Sequence, residues 1–356
     1  MISFYPGPSQ IYPQVKDFMI EAADTGILSV NHRSEEFVDL SKKCQQLMRQ
    51  KLGIPTNYQI FYCSSATECW EIISESFLSA FSLHIFNGAF GEKWFEYRKK
   101  IMPNAMGIPF HYQRDLGMNQ LRKLVKPEIK PELVCVTQNE TSNCTQIKNK
   151  KLRKLRKQFN ESLICVDATS SMAGIKFDWH LADIWFSSVQ KCFGLPAGMS
   201  IMVCSPNAVE RALELNHNQH YNSLVSMVDK MKAYQTTHTP NVLNIFLLKK
   251  VMDMVEPIET LSKKMKVRSR MLNKFFIDKG YRLLVENSSV RSYTVMGVKG
   301  EASKIAQIKK DAKSAGLLLG NGYGNWKQNT FRIANFPALS DHNFEELKDF
   351  FSNYKM

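Results

Sequence analysis

Two side chains of opposite charge, Lys191 and Asp167, each follow a short apolar segment that is typical of a buried strand. Asp167 ends the run Leu163–Asp167, and Lys191 lies between the run 183–186 and a Gly/Pro-rich stretch at 194–198. A lysine held at a strand end in an apolar setting loses its proton readily, and its neutral amine can attack a carbonyl. The pair supplies what pyridoxal phosphate (PLP) chemistry requires, a Schiff-base amine and a carboxylate for the pyridinium nitrogen.

Further polar segments follow predicted strands at the same edge. The segment 63–68 lies between a strand and a helix, where open backbone amides suit an anion such as a cofactor phosphate. Thr67 taken alone is better explained as a helix N-cap. The polar turn 138–143 follows the strand that ends at Thr137. Ligands of parallel sheets bind at the carboxyl ends of strands, which favours one shared site over the alternative that Lys191 is an ordinary solvated residue.

The elements that must position these residues alternate between strands and helices. Strands are predicted at 59–63, 84–87, 133–137, 163–167, 182–187 and 200–205, and helices at 34–51, 67–81, 95–102 and 150–159. This alternation, with nearly continuous apolar strands, favours an α/β fold whose mixed, mostly parallel sheet is covered on both faces.

A looser pattern begins at about residue 242. It predicts helices at 242–255, 261–279, 303–315 and after Ser340, and strands at 281–285, 293–297 and 331–334. We therefore predict a large domain at 16–245 and a smaller α+β domain formed by 1–15 and 246–356.

Composition limits the function classes. The 356 residues are 44% hydrophobic, enough for about two domains. Without an apolar run of 18 residues, no membrane span is predicted, and the N-terminus does not resemble a secretory signal, so we expect a cytoplasmic protein. The eight cysteines form no CxxC pair, and we expect buried free thiols and no metal site.

The net charge of +14, from 47 basic and 33 acidic residues, could suit nucleic acid, an anionic membrane surface or small anionic substrates. The densest basic run, 148–157, has Leu152, Leu155 and Phe159 on one helical stripe and no interleaved aromatic residues. It is interpreted as a solvated helix face, with no nucleic acid and no membrane as partner.

Motifs along nearly the whole chain resemble those of the class V aminotransferases of PLP fold type I, close to the phosphoserine aminotransferases. They are Tyr5-Pro6-Gly7-Pro8, His32-Arg33-Ser34-Glu35-Glu36-Phe37, Asn139-Glu140-Thr141, Asp167, Gln190-Lys191 with Gly194 and Pro196-Ala197-Gly198, Thr239-Pro240-Asn241 and Phe331-Arg332-Ile333. The resemblance implies a large domain with a mixed, mostly parallel seven-stranded sheet, a smaller α+β C-terminal domain, PLP as cofactor, and a homodimer with the site at its interface.

The resemblance also implies cofactor roles. Lys191 would carry the cofactor and move the substrate proton, and Asp167 would hold the pyridine nitrogen protonated. The remaining cofactor contacts would be Ala66, Thr67 and Gln190 at the phosphate, Thr141 at the ring 3-oxygen, Phe90 stacked on the ring, and His238 and Thr239 reaching the partner's cofactor phosphate. Phe90 stands where tryptophan is usual in the phosphoserine enzymes, and as an alternative its ring belongs to the core.

The resemblance also implies which residues bind the substrate. Arg332 would clamp the α-carboxylate, which a lysine could not imitate, or else is a salt-bridged strand residue. His32 and Arg33 would bind a substrate phosphate, or else cap the helix that follows Ser34. A second His-Arg pair is expected within 320–329 and is absent, although Lys327 could supply a cation there.

The function implied is transfer of the amino group of O-phosphoserine to 2-oxoglutarate, as in serine biosynthesis, with amino acids and 2-oxo acids as partners. The missing His-Arg pair favours the alternative of a class V serine– or alanine–glyoxylate (pyruvate) aminotransferase. A cysteine desulfurase, a PLP-binding protein without catalysis and a basic nucleic-acid binder are the remaining alternatives.

Overall fold

A seven-stranded sheet and a five-stranded sheet organise the chain in the computed structural model, which describes residues 1–78, 81–125 and 130–354. The strands are β1 (Ile2–Phe4), β2 (Gln59–Cys63), β3 (Ser82–Phe86), β4 (Met106–Pro109), β5 (Leu133–Thr137), β6 (Asn139–Glu140), β7 (Thr145–Gln146), β8 (Leu163–Asp167), β9 (Ile184–Ser188), β10 (Ser200–Cys204), β11 (Arg282–Leu283), β12 (Val295–Lys299), β13 (Leu317–Asn321) and β14 (Thr330–Ala334).

Helices connect and cover these strands. They are α1 (Val15–Asp24), α2 (Glu35–Leu52), α3 (Ala66–Ser76), α4 (Ala89–Ile101), α5 (Met118–Leu124), α6 (Asn149–Gln158), α7 (Pro206–Leu215), α8 (Leu224–Met231), α9 (Val242–Met254), α10 (Ile258–Asp278), α11 (Ala302–Ser314) and α12 (Asp341–Asn353). In the described part of the chain, none of the helices combines the length and the apolar character that a membrane span requires.

The larger sheet has the strand order β2-β10-β9-β8-β5-β3-β4. Strand β10 runs in the direction opposite to that of the other six strands. All residues of β5, β9 and β10 are buried, which explains their continuous apolar sequences. The prediction of an α/β fold with a mixed, mostly parallel seven-stranded sheet is confirmed. The register aligns Thr137 with Asp167, so the carboxyl ends of β5 and β8 meet at one edge.

The smaller sheet has the order β1-β13-β14-β12-β11. Its outer strand β1 comes from the N-terminus and pairs in parallel with β13, with Ile2 opposite Leu317. The N-terminal segment therefore packs with C-terminal elements. Its residues Ser9 and Tyr12 then contact the loop that follows β9 of the larger sheet. The domain limits given above stay a prediction.

Helix α4 begins at Ala89, six residues before the predicted start at Phe95. Gly88 offers no side-chain cap, but the amides of Phe90 and Gly91 each donate to Glu140 Oε2 at 3.2 Å. Because this cap comes from a residue about 50 positions away, no local pattern in the sequence could reveal it.

The structure also differs from the predictions at helix α3 and in several short elements. Helix α3 ends at Ser76 rather than near residue 81, and residues 79–80 lie outside the described part. Its N-cap is Ser65, not Thr67, because Ser65 Oγ accepts from the amide of Glu68. Elements β1, β4, β6, β7, β13, α1, α5, α7 and α8 were not predicted at all. All eight cysteines are buried and unpaired, as expected.

Candidate active site

Lys191 lies in a cavity of about 660 Å³ at the carboxyl edge of the larger sheet. Its Nζ donates to Ser170 Oγ at 2.9 Å and to Thr141 Oγ1 at 3.1 Å, and only 8% of the residue is exposed. Burial lowers the pKa of Lys191 from 10.5 to about 8, against the opposing effect of Asp167 and Glu140. A lysine with this pKa is partly neutral near pH 8 and can act as a nucleophile.

The N-terminal segment holds the Lys191 loop in place. The amide of Ser9 donates to Gln190 O at 3.0 Å, and that of Tyr12 donates to Gly194 O at 3.1 Å. At Gly7, with φ +148°, a Cβ atom would lie 2.8 Å from Lys191 Cε. Glycine is therefore required there by the close approach of the lysine side chain and by the backbone conformation.

Asp167 is the last residue of β8 and is 4% exposed. Its Oδ1 accepts from the amide of Thr169 at 2.9 Å. Burial raises the pKa of Asp167, while Thr169 and the Lys191 ammonium oppose that rise. An ionised carboxylate at this depth needs a cation opposite it, a requirement that a protonated pyridine nitrogen would meet.

The N-terminus of α3 faces the cavity through Ala66 and Thr67. The amide of Ala66 donates to Ser188 Oγ at 3.0 Å, and the exposed Thr67 lines the cavity. Unsatisfied amides and the helix dipole make such a terminus suited to an anion. The phosphate of a cofactor fits this position, with Gln190 and Ser188 beside it.

Three buried polar atoms of cavity-lining residues have no hydrogen-bond partner within the described part of the chain. They are Thr137 Oγ1, Asn139 Nδ2 and Gln190 Oε1. Unpaired buried polar groups each cost about 1–3 kcal/mol, and native structures contain few of them. Together with Lys191, Asp167 and the helix terminus, these atoms indicate a cavity made for a polar ligand, and the residues present fit PLP.

Phe90 lines the same cavity, half-buried, at the start of α4. Lys191 Nζ lies 5.3 Å from the centroid of its ring. Glu140, which caps this helix, also accepts from the amide and hydroxyl of Ser142 at 2.9 and 2.6 Å. The buried carboxylate thus fixes the aromatic ring next to the reactive amine.

Arg332 stands in the middle of β14 and reaches the cavity while 5% exposed. Its Nε donates to Asn321 O at 2.6 Å, and its Nη1 donates to Thr141 O at 2.7 Å. These two carbonyls fix the plane of the guanidinium, and Nη2 donates to no residue that the structure describes. A guanidinium oriented in this way can receive a carboxylate.

The structure brings nine of the predicted site residues to one cavity. They are Ala66, Thr67, Phe90, Thr141, Asp167, Gln190, Lys191, Lys327 and Arg332. Sequence reasoning missed several other lining residues, namely Trp70, Lys93, Thr169, Ser188 and Tyr323, and also Ser170, which contacts Lys191. The only sequence signal for Thr169 and Ser170 was their position directly after Asp167.

Four predicted residues do not line this cavity: His32, Arg33, His238 and Thr239. Arg33 Nη1 donates to Gln235 Oε1 at 2.9 Å and to Thr236 O at 2.8 Å, which ties the 32–33 turn to the 235–239 segment. Burial, and then the charges of Arg33 and His238, lower the pKa of His32. The four residues therefore form a separate surface group in one chain.

Comparison with known proteins identifies the class. The model of the family "Aminotransferase class-V" matches residues 3–310, and the chain belongs to this family. It is a PLP-dependent transferase of fold type I, and its cofactor is pyridoxal 5′-phosphate.

Individual relatives span the whole chain. A phosphoserine aminotransferase of Rhodococcus opacus (strain B4) is 23% identical over 351 residues, covering 96% of this chain and 91% of that protein. The crystal structure of a phosphoserine aminotransferase from Cytophaga hutchinsonii is 31% identical, with a TM-score of 0.93 and coverage of 100% and 99%. An alanine–glyoxylate aminotransferase from Nostoc sp. shares the fold at 18% identity, with a TM-score of 0.80 and coverage of 99% and 94%.

Proposed function

We propose that this aminotransferase moves the amino group of O-phosphoserine to 2-oxoglutarate, giving 3-phosphohydroxypyruvate and glutamate. The observation that carries the proposal is the 31% identity, over the whole chain, to the phosphoserine aminotransferase of Cytophaga hutchinsonii. The charge of the site supports it, because the exposed Lys93 and Lys327 line the cavity in addition to the buried Lys191 and Arg332.

Each residue of the cavity has a task in this reaction. PLP supplies the carbonyl group that takes up nitrogen and a ring that accepts electron density from the substrate Cα. Asp167 would hold the ring nitrogen, Thr141 would hold the ring oxygen, and the α3 terminus with Gln190 would hold the phosphate. The Lys191 amine would accept the proton from the substrate Cα and deliver it to the aldehyde carbon (C4′) of the cofactor, a transfer that its lowered pKa favours.

Arg332 would bind the α-carboxylate of the amino donor and of the 2-oxo acid. Its guanidinium is already oriented by Asn321 O and Thr141 O, so little entropy is lost when a carboxylate binds. Because every amino acid has this carboxylate, Arg332 selects the class of substrate and not the side chain.

We also propose a homodimer in which the surface group of His32, Arg33, His238 and Thr239 completes the cavity of the partner subunit. Support comes from the position of these residues: Arg33 binds Gln235 and Thr236, just before His238 and Thr239, and none of the four lines the cavity of its own chain. Light scattering on a sizing column tests the dimer.

Mixing two inactive variants tests the shared site. A heterodimer of Lys191→Ala and Arg33→Ala subunits contains one site with both residues intact. Random mixing would therefore restore up to about a quarter of the wild-type activity. If the mixture stays as inactive as the two separate variants, Arg33 does not act across an interface.

The alternative, a serine– or alanine–glyoxylate type, is favoured by one observation: the segment 320–329 contains Tyr323 and Lys327 but no His-Arg pair. The two functions differ in whether the donor needs a phosphate.

A donor panel decides between them. We expect the purified, PLP-loaded protein to turn over O-phosphoserine with a much higher kcat/KM than serine or alanine, with 2-oxoglutarate as acceptor. Lys191→Ala is the control, and it should lose turnover while keeping some cofactor bound non-covalently. Equal kcat/KM values for serine and O-phosphoserine would remove the phosphorylated donor and favour the alternative.

A further inference from the structure

Lys93 and Tyr323 form a polar contact at the mouth of the cavity. Lys93 follows Phe90 by three residues on α4, so both side chains lie on one face of the helix. Lys93 Nζ donates to Tyr323 Oη at 2.8 Å. The same Nζ lies 5.4 Å from the ring centroid of Tyr323 and 6.0 Å from that of Phe90.

Tyr323 occupies the centre of this group. It belongs to the turn between β13 and β14, which also carries Lys327. Its ring centroid lies 5.2 Å from that of Phe90 and 5.8 Å from the guanidinium carbon of Arg332. The phenol thus lies between the ring expected to cover the cofactor and the arginine expected to bind the α-carboxylate.

Among the described residues, no carboxylate forms an ion pair with Lys93 or Lys327. No Asp or Glu oxygen in the described residues comes within 4.0 Å of either ammonium nitrogen. An ammonium group has three donors, and Tyr323 takes only one of those on Lys93. Two donors and a charge without a direct ion pair therefore remain at the opening.

We propose that Lys93, oriented by Tyr323, is the specificity-determining residue that binds the distal anionic group of the amino donor. The inference rests on the proposed function. With the α-carboxylate at Arg332 and the Cα at Lys191, the donor side chain has to extend along Tyr323 toward the mouth. Lys93 and Tyr323 then supply a charge and a hydroxyl there in place of the missing His-Arg pair.

The test compares single-residue variants on two donors. Lys93→Met removes the charge and keeps an unbranched side chain, Lys93→Arg keeps the charge, and Tyr323→Phe removes only the hydroxyl. Lys99→Met is the matched control, because it removes the same charge from the same helix at an exposed site whose Nζ lies over Phe95, outside the cavity.

Lys93→Met should lower kcat/KM for O-phosphoserine about 10- to 100-fold, mainly through KM, because a charge-assisted hydrogen bond to the phosphate is lost. The kcat/KM for serine should stay within about twofold. Lys93→Arg should recover most of the loss, and Tyr323→Phe should show a smaller loss in the same direction. Lys99→Met should match the wild type.

A second readout does not depend on turnover. Inorganic phosphate, titrated against the absorbance of the PLP-loaded enzyme, should bind more weakly to Lys93→Met than to the wild type and Lys99→Met. Equal losses on serine and O-phosphoserine would make Lys93 a structural residue, and a selective loss in Lys327→Met alone would move the subsite there. Either result overturns the assignment of Lys93 and leaves the proposed function standing, whereas a wild type without O-phosphoserine activity removes both.

Discussion

The protonation state of Lys191 leads to a prediction about how fast PLP attaches to the cofactor-free protein. Burial lowers the pKa of this amine from 10.5 to about 8, and Arg332 acts in the same direction. Only the neutral amine attacks an aldehyde. The attachment rate should therefore rise with pH and level off above a midpoint near pH 8.

The magnitude follows from the neutral fraction. At pH 7, an amine with a pKa of about 8 is neutral in about one molecule in ten, and an ordinary lysine in about one in three thousand. The ratio, about 300-fold, is the advantage that burial gives Lys191 before any loss of intrinsic nucleophilicity. Arg332→Gln should move the midpoint to higher pH, because it removes a positive charge that lowers the pKa.

Stopped-flow absorbance of the bound cofactor, measured from pH 6 to 10, gives the rate. Dividing it by the rate for a free lysine derivative removes the titration of PLP itself. Lys191→Ala is an essential control, because burial and the nearby Lys266 lower the pKa of Lys148 to about 7, and Lys148 could also react with PLP. For an amine with a pKa of about 8 the normalised rate should be constant below pH 8 and fall above it. A normalised rate that stays constant up to pH 10, as it would for an unperturbed lysine, would refute the reasoning.

Three further substitutions test the supporting contacts. Arg332→Lys should raise the donor KM about 10- to 100-fold, because a planar guanidinium that can form two hydrogen bonds to a carboxylate is replaced by a single ammonium group. An unchanged KM in steady-state assays would leave Arg332 a structural role. Gly88→Ala places a Cβ 2.4 Å from Glu140 Cγ and should lower the free energy of unfolding, measured in urea titrations, by about 1–3 kcal/mol. Gly117→Ala is the control, because its Cβ would lie 3.5 Å from the nearest atom, Gln120 Cβ, and it should change the free energy of unfolding little. Phe90→Leu keeps an apolar side chain without the π-face, and the Kd for PLP should rise about 2- to 10-fold in equilibrium dialysis, unless the ring only fills the core.

The sequence predicted the strands of the larger sheet well. The limits of β2, β5 and β8 were predicted to the residue, because these buried strands are continuous apolar runs that end abruptly in polar residues. The same pattern predicted that Asp167 and Lys191 share one edge of the sheet, and both line the cavity there. Nine of the predicted site residues line the cavity, and their roles toward cofactor and substrate stay predictions.

What the sequence could not reveal depends on contacts between distant segments. Tyr323 is separated from Lys93 by 230 residues, and Glu140 caps a helix 50 residues earlier in the chain. The hydroxyl of Ser170 contacts Lys191 only because β8 and β9 are adjacent. In each case local propensity contains no information about the partner, and the turn at 320–329 showed only that the expected pair was absent.

The charges of the cavity explain why selection among donors has to occur at its mouth. Lys191 and Arg332 face two buried carboxylates, Asp167 and Glu140, and burial shifts the pKa of all four toward the neutral form. When all four are ionised their charges cancel, so these four side chains together carry no net charge that would favour a donor with a second anionic group. Within one chain, a preference for a second anionic group would come from cations that lack such partners, and Lys93 and Lys327 are the two among the described lining residues. A serine side chain would leave both of these charges unmatched, whereas a phosphate would neutralise them, and this difference is the physical basis for expecting a phosphorylated donor.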